Sequence, residues 1–183
     1  MPSLMTNWKI SSQKTVFKSE LFEIKEIKLK GPNDKTKLHH DIFRRDGVFV
    51  FPITEKKEIY LISEFRYFYN KEILDVCAGF LEKGESPLAT AKRELKEEVG
   101  VTATHWEELA RLEISASLTK ATQYLFIARD LEIGSQKLRE TEEIKIVKIP
   151  LKDAIQKIYS GEIFVAPTVA GILMLAGLKL NSH

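Results

Sequence analysis

The sequence predicts an α/β fold preceded by a small antiparallel strand unit, on three observations. Short runs rich in Ile, Val, Tyr and Phe, bounded by turn residues, recur between residues 15 and 149 and read as strands. Among them one segment, residues 86–100, carries both the start and the stop signal of a helix. Two further helical segments, residues 151–159 and 168–180, follow the last strand.

A length of 183 residues and a hydrophobic content of 44% suffice for one packed domain with an arm. The expected division is a strand arm over residues 1–44 and a main domain over residues 45–183. A formal charge of +2, with no dominant basic run, gives no footing for nucleic acid or an anionic membrane. The single cysteine, Cys77, excludes an intramolecular disulfide and suits a reducing compartment. Residues 1–8 lack the apolar stretch of a secretion signal. The longest apolar stretch, residues 163–178, is shorter than the roughly 20 residues of a bilayer span and contains Pro167 and Gly171. A cytoplasmic protein with no membrane and no nucleic-acid partner is the expectation.

In chain order, residues 15–30 set Leu21, Phe22, Ile24, Ile27 and Leu29 among charged neighbours and read as strand, ended by the turn Gly31-Pro32-Asn33-Asp34. A second strand runs over residues 37–44. This arm has an apolar side but little mass to bury it, so it should pack on the main sheet or on a partner. Trp8 suits either a ring anchored on the protein or a platform for a nucleobase. His39-His40-Asp41 reads as ordinary strand, because adjacent strand side chains point to opposite faces and cannot easily share one ion. Residues 47–53 and 58–66 are runs of a central sheet separated by a turn, and Arg66 ends the second. Residues 73–78 form a strand leading to Gly79, with Cys77 as a small buried hydrophobe. Residues 106–114 and 123–128 are strands around a loop at 115–122. An acidic loop, residues 139–143, precedes a strand over 144–149.

The chemistry concentrates between Gly79 and Val101. Ser86 is placed to cap a helix whose first position, Pro87, needs no N–H. Leu88, Ala91, Leu95 and Val99 then make one apolar stripe for a core, and Gly100 supplies the left-handed residue that commonly ends a helix. At about 100° per residue Glu94 and Glu98 share a different face, with Glu97 on its flank. Like charges at this spacing repel by about 0.2–0.5 kcal/mol per pair unless a cation lies among them. Mg²⁺ suits the position, being held by one or two carboxylates, waters and a substrate's phosphates. Arg93 can reach Glu97 one turn along. The competing reading is a solvated acidic face.

The same segment matches G-x5-E-x7-R-E-U-x-E-E-x-G-U, with U aliphatic, at Gly79, Glu85, Arg93, Glu94, Leu95, Glu97, Glu98, Gly100 and Val101. It thereby resembles the Nudix hydrolases, and within them the subgroup that cleaves ADP-ribose and nucleotide sugars. The resemblance implies an α/β/α sandwich with a mixed sheet. It also implies metal-dependent hydrolysis of the pyrophosphate bond of a nucleoside diphosphate linked to another moiety, giving a nucleoside monophosphate and a sugar phosphate. The Ala78 carbonyl, Glu94, Glu97, Glu98 and Glu85 would hold Mg²⁺, with Mn²⁺ as a substitute, and Gly79 would let the backbone turn tightly enough to offer that carbonyl. Glu97, Glu94, Glu98 and Arg93 are the catalytic candidates. A general base would come from the acidic loop, where Glu140, Glu142 and Glu143 compete and Glu142 is preferred.

Arg66 stands where the subgroup carries a motif ending in Tyr-Arg. It would meet the phosphates or terminal sugar, for which its planar donors are suited; a surface ion pair is the alternative. Trp8 would stack on the base, and the N-terminal strands would pack across a homodimer. Ser160-Gly161-Glu162-Ile163 resembles a Gly-x-Ile connection of the subgroup. Two positions depart: Asp75-Val76-Cys77-Ala78-Gly79 replaces Glu-Leu-Pro-Ala-Gly, and Ala116-Ser117 stand about where ADP-ribose pyrophosphatases carry Pro-Gly. Other readings are a nucleotide-binding sensor without turnover, or a hydrolase of GDP-mannose, dinucleotides or nucleoside triphosphates. RNA cap removal would call for a basic, aromatic-lined surface that the sequence does not offer.

Overall fold

The computed structural model describes residues 8–138, 140 and 143–178. They fall into two compact units, one built from the arm up to Arg45 with Glu113–Thr122, the other from Asp46–Leu112 with residue 123 onward.

The first unit is a sheet with little core. β1 (Lys9–Lys18) and β2 (Phe22–Lys30) are antiparallel, Lys9 facing Lys30 and Lys18 facing Glu23. β3 (Thr36–Arg44) continues the sheet antiparallel to β2 and runs parallel to Thr119 and Lys120. The single strand expected over residues 15–30 is thus two strands. The turn between them has neither Gly nor Pro and is made by Ser19, whose Oγ accepts the N–H groups of Leu21 and Phe22 at 3.2 Å. β1 is exposed along its whole length, and among the described residues of this unit Ile27 and Ala121 are the buried hydrophobes.

The second unit is organised by strands that are apolar on both faces. β4 (Gly47–Pro52) lies between β7 (Cys77–Phe80), antiparallel, and residues 123–128 of β9 (Thr119–Ile133), parallel, which makes the sheet mixed. In a second sheet β5 (Glu58–Arg66) is flanked antiparallel by β6 (Lys71–Asp75) and β10 (Ile144–Pro150). Side chains alternate across each strand. Val48, Val50, Tyr60, Ile62, Phe126 and Ala128 therefore enter one core, while Phe51, Ile59, Leu61, Leu125 and Ile127 enter another. The first core is covered by Ala91, Leu95 and Val99 of the central helical segment; the second by Leu151 and Ala154 of α2 (Leu151–Tyr159) and Ile172 and Leu175 of α3 (Ala166–Gly177). This is the α/β/α layering that the sequence led us to expect. No helix among the described residues is long and apolar enough to cross a membrane.

The central helical segment differs from a regular helix. α1 (Pro87–Glu94) starts as expected, with Ser86 Oγ accepting the Ala89 N–H at 3.2 Å, but Leu95–Val99 widens into a π-helical turn that ends at Gly100 with φ +69°. Leu88, placed on the buried stripe by its spacing, is instead 37% exposed. β8 (Val101–Ser115) and β9 are longer than the sequence indicated, which shrinks the expected loop at 115–122 to a turn closed by Leu118 N–H on Ser115 O. α3 begins before Thr168, with Pro167 in its first turn.

The expected strand over residues 73–78 breaks at Val76, where the chain leaves one sheet for the other. Asp75 manages the break: its Oδ1 accepts the Val76 N–H at 2.8 Å and the hydroxyl of the buried Thr168. Burial raises its carboxyl to about 6, against the lowering effect of these two hydrogen bonds and of Arg66. The folded protein thus holds this proton more tightly than the unfolded chain, and the stabilisation so gained is full below the ordinary aspartate range and lost as pH rises through about 6. Asp75→Asn keeps the acceptor and removes the titration. Its melting temperature, followed from pH 4 to pH 7, should lack a downward component present in the parent protein.

Candidate active site

Three local devices bring the acidic side chains together. The cap at Ser86 fixes where α1 begins, the turn at Glu82–Glu85 closes by a 3.0 Å backbone bond, and β7 lies against β4 with Gly79 opposite Val48. Arg93 is the hub. Its Nε and Nη2 donate to the two oxygens of Glu85, each at 3.0 Å, and Nη1 donates to Glu94 at 2.7 Å and Glu97 at 3.3 Å. Nη2 also reaches the Phe80 carbonyl at 3.4 Å. The forked guanidinium is what lets one side chain serve three acids.

The environment of each acid follows. Glu85 is held chiefly by Arg93, and further by the Thr90 hydroxyl at 2.8 Å and the Glu82 amide; its carboxyl is lowered to about 2, so it stays ionised through any physiological pH. Arg93 is correspondingly raised above its ordinary range, first by Glu85. Glu94 is almost buried and lies in space that only a glycine leaves: a Cβ on Gly79 would come within 1.9 Å of its Oε1. Glu98 Oε2 accepts the Ala78 N–H at 3.1 Å, which seats that carboxylate beside the residue whose carbonyl was a candidate ligand. Glu97 is the most open of the three partners of Arg93, its side chain 36% exposed against 17% for Glu85 and 10% for Glu94.

The donors are all oxygen, which fits a hard divalent cation such as Mg²⁺ and not a soft one. Among the described residues no three acidic, His or Cys side chains gather into a cage by themselves. An ion here would be completed by waters and a substrate's phosphates. Cys77 is fully buried, and its thiol is pushed well above the ordinary range by burial and then by the charges of Glu98 and Glu94. This is an inert packing thiol.

Other candidates lie in different settings. Arg66, at the end of β5, donates from Nη1 and Nη2 to Glu64 at 3.0 and 2.8 Å. Trp8 belongs to the first unit, where its ring covers Gly31 so closely that a Cβ there would meet it at 2.7 Å. Glu142 lies outside the described residues. His40 faces Glu26 at 3.5 Å on one side of β3, while His39 points to the other. Sequence reasoning did not find Thr90 or the Phe80 carbonyl. Their part in holding Glu85 and Arg93 depends on how the turn folds back over the helix, for which no residue spacing is a signal.

The NUDIX domain family profile matches residues 43–168. An ADP-ribose pyrophosphatase of Bacillus subtilis (strain 168) is 31% identical over 170 residues, 89% of this chain and 92% of that protein. A methanol dehydrogenase activator of Bacillus methanolicus is 29% identical over 182 residues, 96% of this chain and 98% of its own. Among solved structures, one described as an ADP compounds hydrolase superposes with a TM-score of 0.84 at 25% identity, covering 93% of each chain. With the matched profile spanning more than half its length and its glutamates gathered on Arg93, the chain belongs to the Nudix hydrolase family.

Proposed function

We propose that this Nudix pyrophosphohydrolase cleaves the diphosphate of ADP-ribose or a related nucleotide sugar, giving a nucleoside monophosphate and a sugar phosphate. The observation that carries the reading is the acidic cluster, in which Arg93 holds Glu85, Glu94 and Glu97 and the Ala78 amide holds Glu98. The similarity to the ADP-ribose pyrophosphatase, which extends over nearly the whole of both chains, supports the choice of substrate class.

Glu94, Glu97 and Glu98, with Glu85 and the Ala78 carbonyl, would hold Mg²⁺, or Mn²⁺ in its place. When bound, the ion supplies positive charge to the diphosphate oxygens and lowers the pKa of a water molecule. The chain's own work is positional. Arg93 restrains Glu85, Glu94 and Glu97 while leaving Glu97 open to solvent. The Ala78 amide fixes one oxygen of Glu98. A glutamate of the acidic loop, Glu142 in our assignment, takes the proton as water attacks phosphorus in line. Arg66 would exchange Glu64 for a phosphate or the terminal sugar, since its fork fits either oxygen pair. Trp8 would offer its outer face to a base. The single buried cysteine supports a cytoplasmic location.

Glu97→Gln and Glu98→Gln should each lower kcat by orders of magnitude with the melting temperature preserved. Near-parental kcat at saturating Mg²⁺ would contradict the assignment. Calorimetry with ADP-ribose, first with Ca²⁺ and then with Mg²⁺, should give binding heat in both and product in the second. Heat with no product in Mg²⁺ identifies a sensor.

We also propose a homodimer through the arm. Its support is the apolar surface of the first unit, where Ile10, Val16, Leu21 and Leu38 are exposed and Phe17 and Phe22 pair at 5.4 Å between ring centroids. Light scattering should give two copies for the parent protein and one for the Phe17→Lys, Phe22→Lys double variant.

A further inference from the structure

The turn that carries Glu97 and Glu98 is not held by its own helix alone. Helices leave their last carbonyls without intrahelical donors, and here residues 134–137 supply them. The Gly134 N–H donates to Gly100 O at 2.7 Å, and the Lys137 N–H to Glu97 O at 2.9 Å. Between them Gln136 donates from its side-chain Nε2 to Glu98 O at 2.6 Å. The approach is as close as the backbone permits, since a Cβ on Gly100 would stand 2.6 Å from Gln136 N.

Gln136 differs from its neighbours because its donor is a side chain and reaches a second acceptor. The same Nε2 lies 3.4 Å from the carbonyl of Ile144, the first residue of β10. One amide group therefore ties the glutamate turn to a strand of the second sheet. Glu98 is held at both ends, its carboxylate by the Ala78 N–H and its backbone by Gln136.

We infer that Gln136 is a positioning residue for the hydrolytic site, fixing the backbone of the Glu97-Glu98 turn and thereby the aim of both carboxylates. This rests on the roles proposed for Glu97 and Glu98. Groups that orient a metal's ligands typically cost about 10–100-fold in metal affinity or activity when removed. Loss of the amide should act in that range without touching substrate.

The test compares Gln136→Leu, close in size and without a donor, with Gln136→Lys, which keeps one. Mn²⁺ binding is measured on the protein alone by electron paramagnetic resonance, beside kcat and KM for ADP-ribose. Gln136→Leu should weaken Mn²⁺ binding and lower kcat by about 10–100-fold, with KM little changed, and Gln136→Lys should recover most of both. Parental metal binding and kcat in folded Gln136→Leu would overturn the inference. So would a lysine variant as defective as the leucine one, which would make the role one of packing. If Gln136→Leu does not fold, Gln136→Glu, isosteric but without the amide's donors at neutral pH, carries the same expectation. The underlying assignment is read separately: Mn²⁺ binding unaffected by Glu98→Gln would refute the metal site itself, whatever the Gln136 variants do.

Discussion

The site depends on one guanidinium surrounded by acids. Glu85, Glu94 and Glu97 approach one another only because Arg93 donates to all three, and no other side chain combines a permanent charge with a flat fork of donors. A lysine could neutralise one of these acids but could not hold the set in a fixed arrangement. Three carboxylates gathered on one arginine leave the cluster acidic, which is the condition for a cation to be drawn in with its phosphate ligand. Rigidity and unspent negative charge thus come from the same contacts.

That arrangement needs a firm base, and the strands provide it. Because β4, β5 and residues 125–128 of β9 send alternate side chains into two cores, they are clamped from both faces. β7 pairs with β4, so Ala78 and Gly79 inherit this fixity, and the helical segment packs on the same core through Ala91, Leu95 and Val99. A carboxylate lodged where Gly79 has no side chain can be placed to a fraction of an ångström only if neither wall moves.

Much of this was legible in the residues. The strands of the second unit showed as apolar runs, the helix start as Ser86-Pro87, and the acidic face as a spacing of glutamates. What escaped was set by contacts distant in sequence. The break at Val76 arises from Asp75 meeting Thr168 across 93 positions, and the support of Glu98 by Gln136 spans 38. Local propensity carries no record of either. The division of residues 9–30 into two strands was missed for a different reason, since a serine hydroxyl did the work usually signalled by Gly or Pro. The π-helical turn was invisible because its residues, Leu-Lys-Glu-Glu-Val, would equally suit an ordinary helix.

The extra width of that turn constrains the length of the chain as well as its composition. Removing any one residue from Leu95–Val99 would let the backbone relax into a regular helix, a locally favourable change. It would also shorten by one residue the run between Glu94, held by Arg93, and Gly100, on whose carbonyl the Gly134 N–H docks. In this segment the count of residues is itself part of the design, and a deletion that mends the helix would dismantle the enzyme.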